Sequence, residues 1–235
     1  DKANYSSRTE AQGGAINNSS NKGYNVYADF IGNYVSVFSS SYATANGGAI
    51  YNKQKGIVGN ITGDFIGNYA LTKLSSSGYA ITSGGAIYNA GTIGNIIGNF
   101  ISNYASSHIA YGGAVYNAGT IGNITGDFIG NYASSPYDDV RGGAIYNDLG
   151  AIGNITGDFI GNHASSAAYA LGGAVCNFET IGDITGDFIG NSTSSSYYHY
   201  VSVYGGAIYN NIGTIGNITG DFIGNYAVSE SGEVS

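Results

Sequence analysis

One motif recurs seven times along this chain, and that recurrence restricts the possible folds more than any other feature. Its clearest copy reads GGAVYN at residues 112–117, then AGT, then IGNITGDFIGNYA at residues 121–133. The next copy spans residues 142–164, with His163 in place of Tyr. The other Gly-Gly-Ala starts are Gly13, Gly47, Gly84, Gly172 and Gly205, and start-to-start distances run from 28 to 37 residues. A unit of this size cannot bury its apolar side alone, so successive copies must stack on one another. Length is nearly constant from the first Gly to the Phe and varies mainly after Asn-Tyr-Ala, as in SSHIAY (106–111) against STSSSYYHYVSVY (192–204). A constant rung with one variable loop predicts a solenoid forming a single domain over residues 1–235.

The rungs read as β-structure. Each copy is laced with Gly, Asn and Thr and has no apolar 3.6-residue period, so helix is a poor fit. Short apolar pieces between Gly-Asn punctuation predict three strands per rung, around GGAIYN, IGNIT and DFIGN. The fold expected is all-β, a right-handed parallel β-helix of about seven rungs, with the hand set by the usual crossover preference. At about 4.8 Å per rung the stack is roughly 34 Å tall. Composition agrees: 43% of residues are hydrophobic and 9% charged, against the polar, charged profile of disorder. Forty glycines without a strict third-residue period exclude collagen, and Pro136 is the single proline.

Equivalent positions lie above one another in such a stack, so columns can be compared within one sequence. The aromatic column is complete: Phe30, Phe65, Phe100, Phe128, Phe159, Phe188 and Phe222. A second complete column holds Ile or Val: Ile16, Ile50, Ile87, Val115, Ile145, Val175 and Ile208. Both are predicted to point inward. Ile121 and Ile124 are three apart, so both face inward only if a corner lies between them, and Ile129 is expected to point outward. Two Asn columns are unbroken: Asn18, Asn52, Asn89, Asn117, Asn147, Asn177, Asn210, and Asn33, Asn68, Asn103, Asn131, Asn162, Asn191, Asn225. They are expected to be structural ladders, hydrogen-bonded rung to rung, at corners where Asn takes left-handed backbone. Gly67 and Gly130 beside them fit close turns. The column Tyr51, Tyr88, Tyr116, Tyr146, Cys176, Tyr209 accepts Cys, and Asn17 in the first copy, and reads as an outward or partly exposed stripe.

The chemically sharpest column is acidic: Asp29, Asp64, Asn99, Asp127, Asp158, Asp187 and Asp221. Like charges at rung spacing repel by roughly 1 kcal/mol per pair even in water. Two roles remain open. The carboxylates cap backbone N–H groups at an exposed turn, or Ca²⁺ bridges rungs along Asp64, Asp127, Asp158, Asp187 and Asp221. The expectation is capping, with no metal and no cofactor. A polysaccharide lyase or glycosidase built on a β-helix would need acids and bases in one groove. The best local cluster is Asp138, Asp139, Arg141 and His163, whose two Asp residues read as solvated in the loop SSPYDDV. His108 and His199 lie in variable loops without a paired acid, and Cys176 reads as a packing substitution. The chain is therefore expected not to be an enzyme. Asn60, Asn123, Asn154 and Asn217 head Asn-x-Thr sequons, as a secreted glycoprotein would carry.

Pairing Gly-Gly-Ala-Ile with Phe-x-x-Asn, as GGAIYN with FIGN or FISN in every copy once GGAV and GGAIN are admitted, resembles the repeats of chlamydial polymorphic outer-membrane proteins and related bacterial autotransporter passengers. The resemblance covers the rungs, hence most of the chain. It implies a right-handed β-helix at a cell surface that acts in adhesion and self-association. It also implies that the two tetrapeptides, residues 47–50 with 65–68 and their equivalents, take part in adhesion.

A net charge of −8 gives nothing to attract nucleic acid or anionic lipid, and no apolar run is long enough to insert into a membrane. The first and last copies lie near the two ends without an evident polar cap, which predicts either a longer array or head-to-tail stacking of subunits. The leading expectation is a structural subunit of an extracellular or cell-surface filament whose partner is itself, head-to-tail. The alternative is an adhesin that binds a host surface or glycans through its variable Tyr/Ser loops.

Overall fold

The computed structural model describes residues 8–39, 41–75, 78–196 and 202–229. It is a parallel β-solenoid with no helix among those residues. Six parallel sheets run its length, five with seven strands and one with six, so seven layers are joined by six turns of the coil.

One turn shows how the sequence makes the coil. Ile109–Tyr111 leads into the Gly112–Gly113 corner, followed by Val115–Asn117, Thr120–Ile121, Ile124–Thr125, Phe128–Ile129 and Tyr132–Ser135, before Val140–Arg141 opens the next turn. Six strands per turn replace the three predicted. IGNIT divides at its Gly-Asn corner into two strands of two residues each, and the segment after Asn-Tyr is itself paired before and after its loop tip. Only the tips of the variable segments are loops.

Register is set column by column. Phe128 pairs Phe100 and Phe159, and Asn117 pairs Asn89 and Asn147. Gly113 shows how closely rungs meet at the corner. A Cβ there would lie 2.0 Å from the carbonyl oxygen of Gly143, so only glycine fits. Gly130 has another role: its φ is +59° and an added Cβ would meet only Ser102 Oγ at an ordinary 3.8 Å, so the turn needs its conformation rather than its small size. Ser102 occupies the equivalent position one turn earlier at φ +53°. The expected left-handed Asn corners do not occur. Lys55 and Ser102 are the non-glycine residues with positive φ among those described, and the ladder Asn residues leave that conformation to neighbouring glycines.

The interior has two lobes. The wide lobe packs the Phe column against the Ile/Val column and against Ile121, Ile124 and their equivalents. Ile121 and Ile124 both point inward across the corner between them, as expected. Phe rings stack with centroids 4.7–4.9 Å apart and planes within 7°, which is the rung spacing. The narrow lobe lies between the sheet of Tyr132–Ser135 and that of Val140–Arg141. Small residues such as Ala133, Ala164 and Ala110 let these two sheets come together.

Candidate functional site

Most residues that recur in the sequence are occupied in holding rungs together. In the first Asn ladder each side-chain amide donates to the next Asn Oδ1 at 2.8–2.9 Å. In the second, backbone N–H and side-chain amide both donate to the next Asn Oδ1, and the amide also reaches back to a Phe carbonyl. Inner members of both ladders are fully buried, where an unpartnered amide is costly. The structural role expected of them is the geometry observed.

The acidic column caps backbone groups. From Asp29 to Asp187, and including Asn99, each Oδ1 accepts the backbone N–H of the equivalent residue one rung on, at 2.7–2.9 Å. Among the described residues no group of three or more His, Cys, Asp or Glu side chains is placed to hold a metal. A fourth ladder was missed in the sequence. Asn25, Asn60, Asn95, Asn123, Asn154 and Asp183 each accept the next rung's N–H through Oδ1 at 2.7–3.0 Å. Three of these are the sequons at Asn60, Asn123 and Asn154. They are exposed, and they recur because the rung needs an acceptor there.

The proposed acid–base cluster is only partly assembled. Arg141 pairs with Asp139 at 2.9 Å and lies over the rings of Tyr111, Tyr146 and Phe178, its guanidinium carbon 5.2–5.7 Å from each centroid. It also donates to the Tyr146 hydroxyl, which donates to Asp148, as does the Tyr116 hydroxyl. Burial, reinforced by the Asp148 carboxylate, pushes both phenols well above the usual tyrosine range. Burial alone would weaken the Arg141 charge, but Tyr146, Tyr111 and Asp139 outweigh it and hold the guanidinium charged. Asp138 is held through its main chain: its N–H donates to Ser135 Oγ and its carbonyl accepts from Ser166 Oγ. His163 belongs to another network, with Nδ1 on Ser192 and Nε2 on Ser194, and its ring stacks on Tyr132. Burial lowers its pKa against a weaker opposing hydrogen bond to the Ser192 carbonyl.

The Tyr stripe is covered where this network lies. Tyr51 and Tyr88 are half-exposed, but Tyr146 and Cys176 are buried beside Leu171. The expected outward or partly exposed stripe therefore holds at Tyr51, Tyr88 and Tyr209 and fails at Tyr116, Tyr146 and Cys176. Burial also raises the Cys176 thiol pKa, consistent with packing rather than reactivity. His199 lies outside the described residues, with the rest of 197–201.

The tetrapeptides are likewise buried. Residues 47–50 are inaccessible, and of residues 65–68 only Ile66 and Gly67 are partly exposed. Their recurrence reflects the corner, the core and the ladder. Concave surface among the described residues includes the exposed core side chains of the last layer and a groove among the loops of the first four copies.

Comparison of the chain with protein-family models, with curated proteins and with solved structures returned no match.

Proposed function

We propose that this chain is a structural subunit of an extracellular filament, joined by stacking of the repeat-7 layer on the repeat-1 layer of a second copy. The observation that carries this reading is the polarity of the ladders. Asn210 and Asn225 end their ladders with side-chain or backbone donors facing outward, where Asn18 and Asn33 at the other end present Oδ1 acceptors. The other two ladders run the opposite way: Asn217 and Asp221 leave Oδ1 free, and the N–H groups of Asn25 and Asp29 have no rung partner. Opposite ends thus match at every ladder. Two repeat-7 ends placed face to face would set donor against donor and carboxylate against carboxylate.

The apolar surface fits the same contact. Phe222 is 53% exposed, and with Ile208, Ile215 and Ile218 it lines a concavity of about 610 Å³. At the other end Phe30 is only 4% exposed, so the two ends are unlike. Contact between unlike ends is heterologous and extends without closing. An extracellular setting is supported by the exposed sequons and by the resemblance to autotransporter passengers and chlamydial polymorphic outer-membrane repeats.

Negative-stain electron microscopy of the purified chain tests this reading. Filaments of a single solenoid's width are expected, lost on Phe222→Asp. Single rods about seven rungs long at every concentration, or rods of only double length, would overturn it.

A further inference from the structure

We infer that a groove on the side of the solenoid, between the loops of the second and fourth copies, is a binding site for an oligosaccharide. It originates in a step in repeat length. Start-to-start distance is 37 residues from Gly47 to Gly84 but only 28 from Gly84 to Gly112. The strand Tyr69–Leu74 pairs along its whole length with Tyr34–Ser39, but pairs with Tyr104–Ser106 only through Leu71. Likewise Tyr79–Ser83 pairs with Ile109–Tyr111 only from Ile81 onward. The short third copy leaves a notch of about 770 Å³ under the overhanging second copy, with Pro136 and Tyr137 of the fourth closing its far side.

The lining suits a sugar chain. Phe38 and Tyr137 are 72% and 69% exposed, among the most exposed aromatic side chains described, and both border this groove. They belong to layers three rungs apart, roughly 14 Å along the axis, a span for several linked rings rather than one small molecule. Aromatic faces carry negative charge density and receive the weakly positive C–H face of a pyranose. Tyr137 is held in place by stacking on His108, with centroids 5.2 Å apart. Polar groups lie between the two aromatic walls. Thr72, only 5% exposed, has a hydroxyl oxygen without a hydrogen-bond partner, and His108 Nδ1 is buried and unpartnered as well. Both residues line the groove, and because these two atoms are covered in the free protein, a ligand hydroxyl reaches them only as the lining side chains shift. Lys73, paired in register with Phe38, adds one cation.

A peptide added as a strand fits less well. The open edges offer only Thr72, Lys73 and Leu74 on one sheet and Tyr79 and Ala80 on the other, each shorter than an ordinary strand, and Lys73 is the residue type that blunts an edge. The site is independent of filament formation, since every residue comes from one chain.

Calorimetric titration tests the site with three hexasaccharides, β-1,4-linked glucose, β-1,4-linked N-acetylglucosamine and α-1,4-linked galacturonic acid. At least one should bind, and Phe38→Ala and Tyr137→Ala should each weaken binding tenfold or more without moving the melting temperature. Tyr27→Ala removes an aromatic ring that is 75% exposed outside the groove and should leave binding unchanged. Lys73→Ala should weaken only the galacturonate, separating an acidic from a neutral ligand. Absence of binding by all three at millimolar concentration, binding insensitive to Phe38 and Tyr137, or capture of extended peptides instead would overturn the inference.

Discussion

Replacing Asn131 by Ala should be among the most destabilising single changes in this chain. Asn131 Oδ1 accepts two hydrogen bonds, from the backbone and side-chain nitrogens of Asn103, at 3.0 and 2.9 Å. Its amide nitrogen donates to the Phe100 carbonyl at 2.8 Å and to Asn162 Oδ1 at 2.9 Å. Alanine removes all four. Asn162 Oδ1 still has the Asn131 backbone N–H, which Ala retains. Three of the partners are deprived in a fully buried site: the two Asn103 donors and the Phe100 carbonyl. At about 1–3 kcal/mol for each buried group left unpaired, the loss is about 3 kcal/mol or more. The control is Asn123→Ala. Asn123 Oδ1 accepts only the Asn154 N–H, and it does so in an exposed position where water replaces it, so the loss is about 1 kcal/mol or less. Urea denaturation followed by circular dichroism measures both. Amide hydrogen exchange adds a local readout, because the Asn103 N–H should lose protection only in Asn131→Ala. Equal losses for the two variants would refute the claim that buried amide ladders hold the rungs together.

Other outcomes follow from the same geometry. Ser102→Gly should raise stability by up to about 1 kcal/mol, because it relieves a left-handed serine while adding only glycine's freedom in the unfolded chain; a fall in the denaturation midpoint would contradict this. Gly113→Ala should cost about 3 kcal/mol or more, since its Cβ meets backbone that cannot yield, and a near-normal melting curve would show that the rungs are less closely apposed. His163 binds its proton less readily folded than unfolded, so its contribution is complete above the unfolded pKa of about 6.5 and is lost as pH falls through the lowered folded value. The stability difference between the wild type and His163→Tyr should therefore change across that window and stay flat above it. A difference independent of pH would remove the buried-imidazole argument.

The fold was legible because a solenoid repeats its instructions. The unbroken Phe and Asn columns each had one simple physical meaning: the rings are in the core and the amides bond rung to rung, although without the left-handed backbone expected of the Asn residues. The number of strands per turn was not legible. Two-residue strands such as Phe128–Ile129 are too short to leave a period, and they are visible only once rungs pair. The Asn25–Asp183 ladder was hidden by its resemblance to glycosylation sequons. The Tyr146–Arg141–Asp148 network joins residues from neighbouring rungs, which no column comparison brings together. The groove had a signal in the sequence, the step from the longest copy to the shortest, but its consequence depends on which strand edges that step uncovers.

Head-to-tail stacking is tested most directly by a double variant, Tyr34→Cys with Tyr226→Cys. The two tyrosines occupy the first and last strands of one sheet and are more than half exposed. Six rung steps, roughly 29 Å, separate them within a chain, far beyond the reach of a disulfide. At the proposed junction they become neighbours at rung spacing, as Tyr34 and Tyr69 are within the chain, with ring centroids 4.9 Å apart. Mild oxidation should then give a ladder of dimers, trimers and longer products on a non-reducing gel, while either replacement alone stops at the dimer, Cys176 being buried throughout. A double variant that likewise yields nothing beyond dimer would contradict end-to-end assembly in this register.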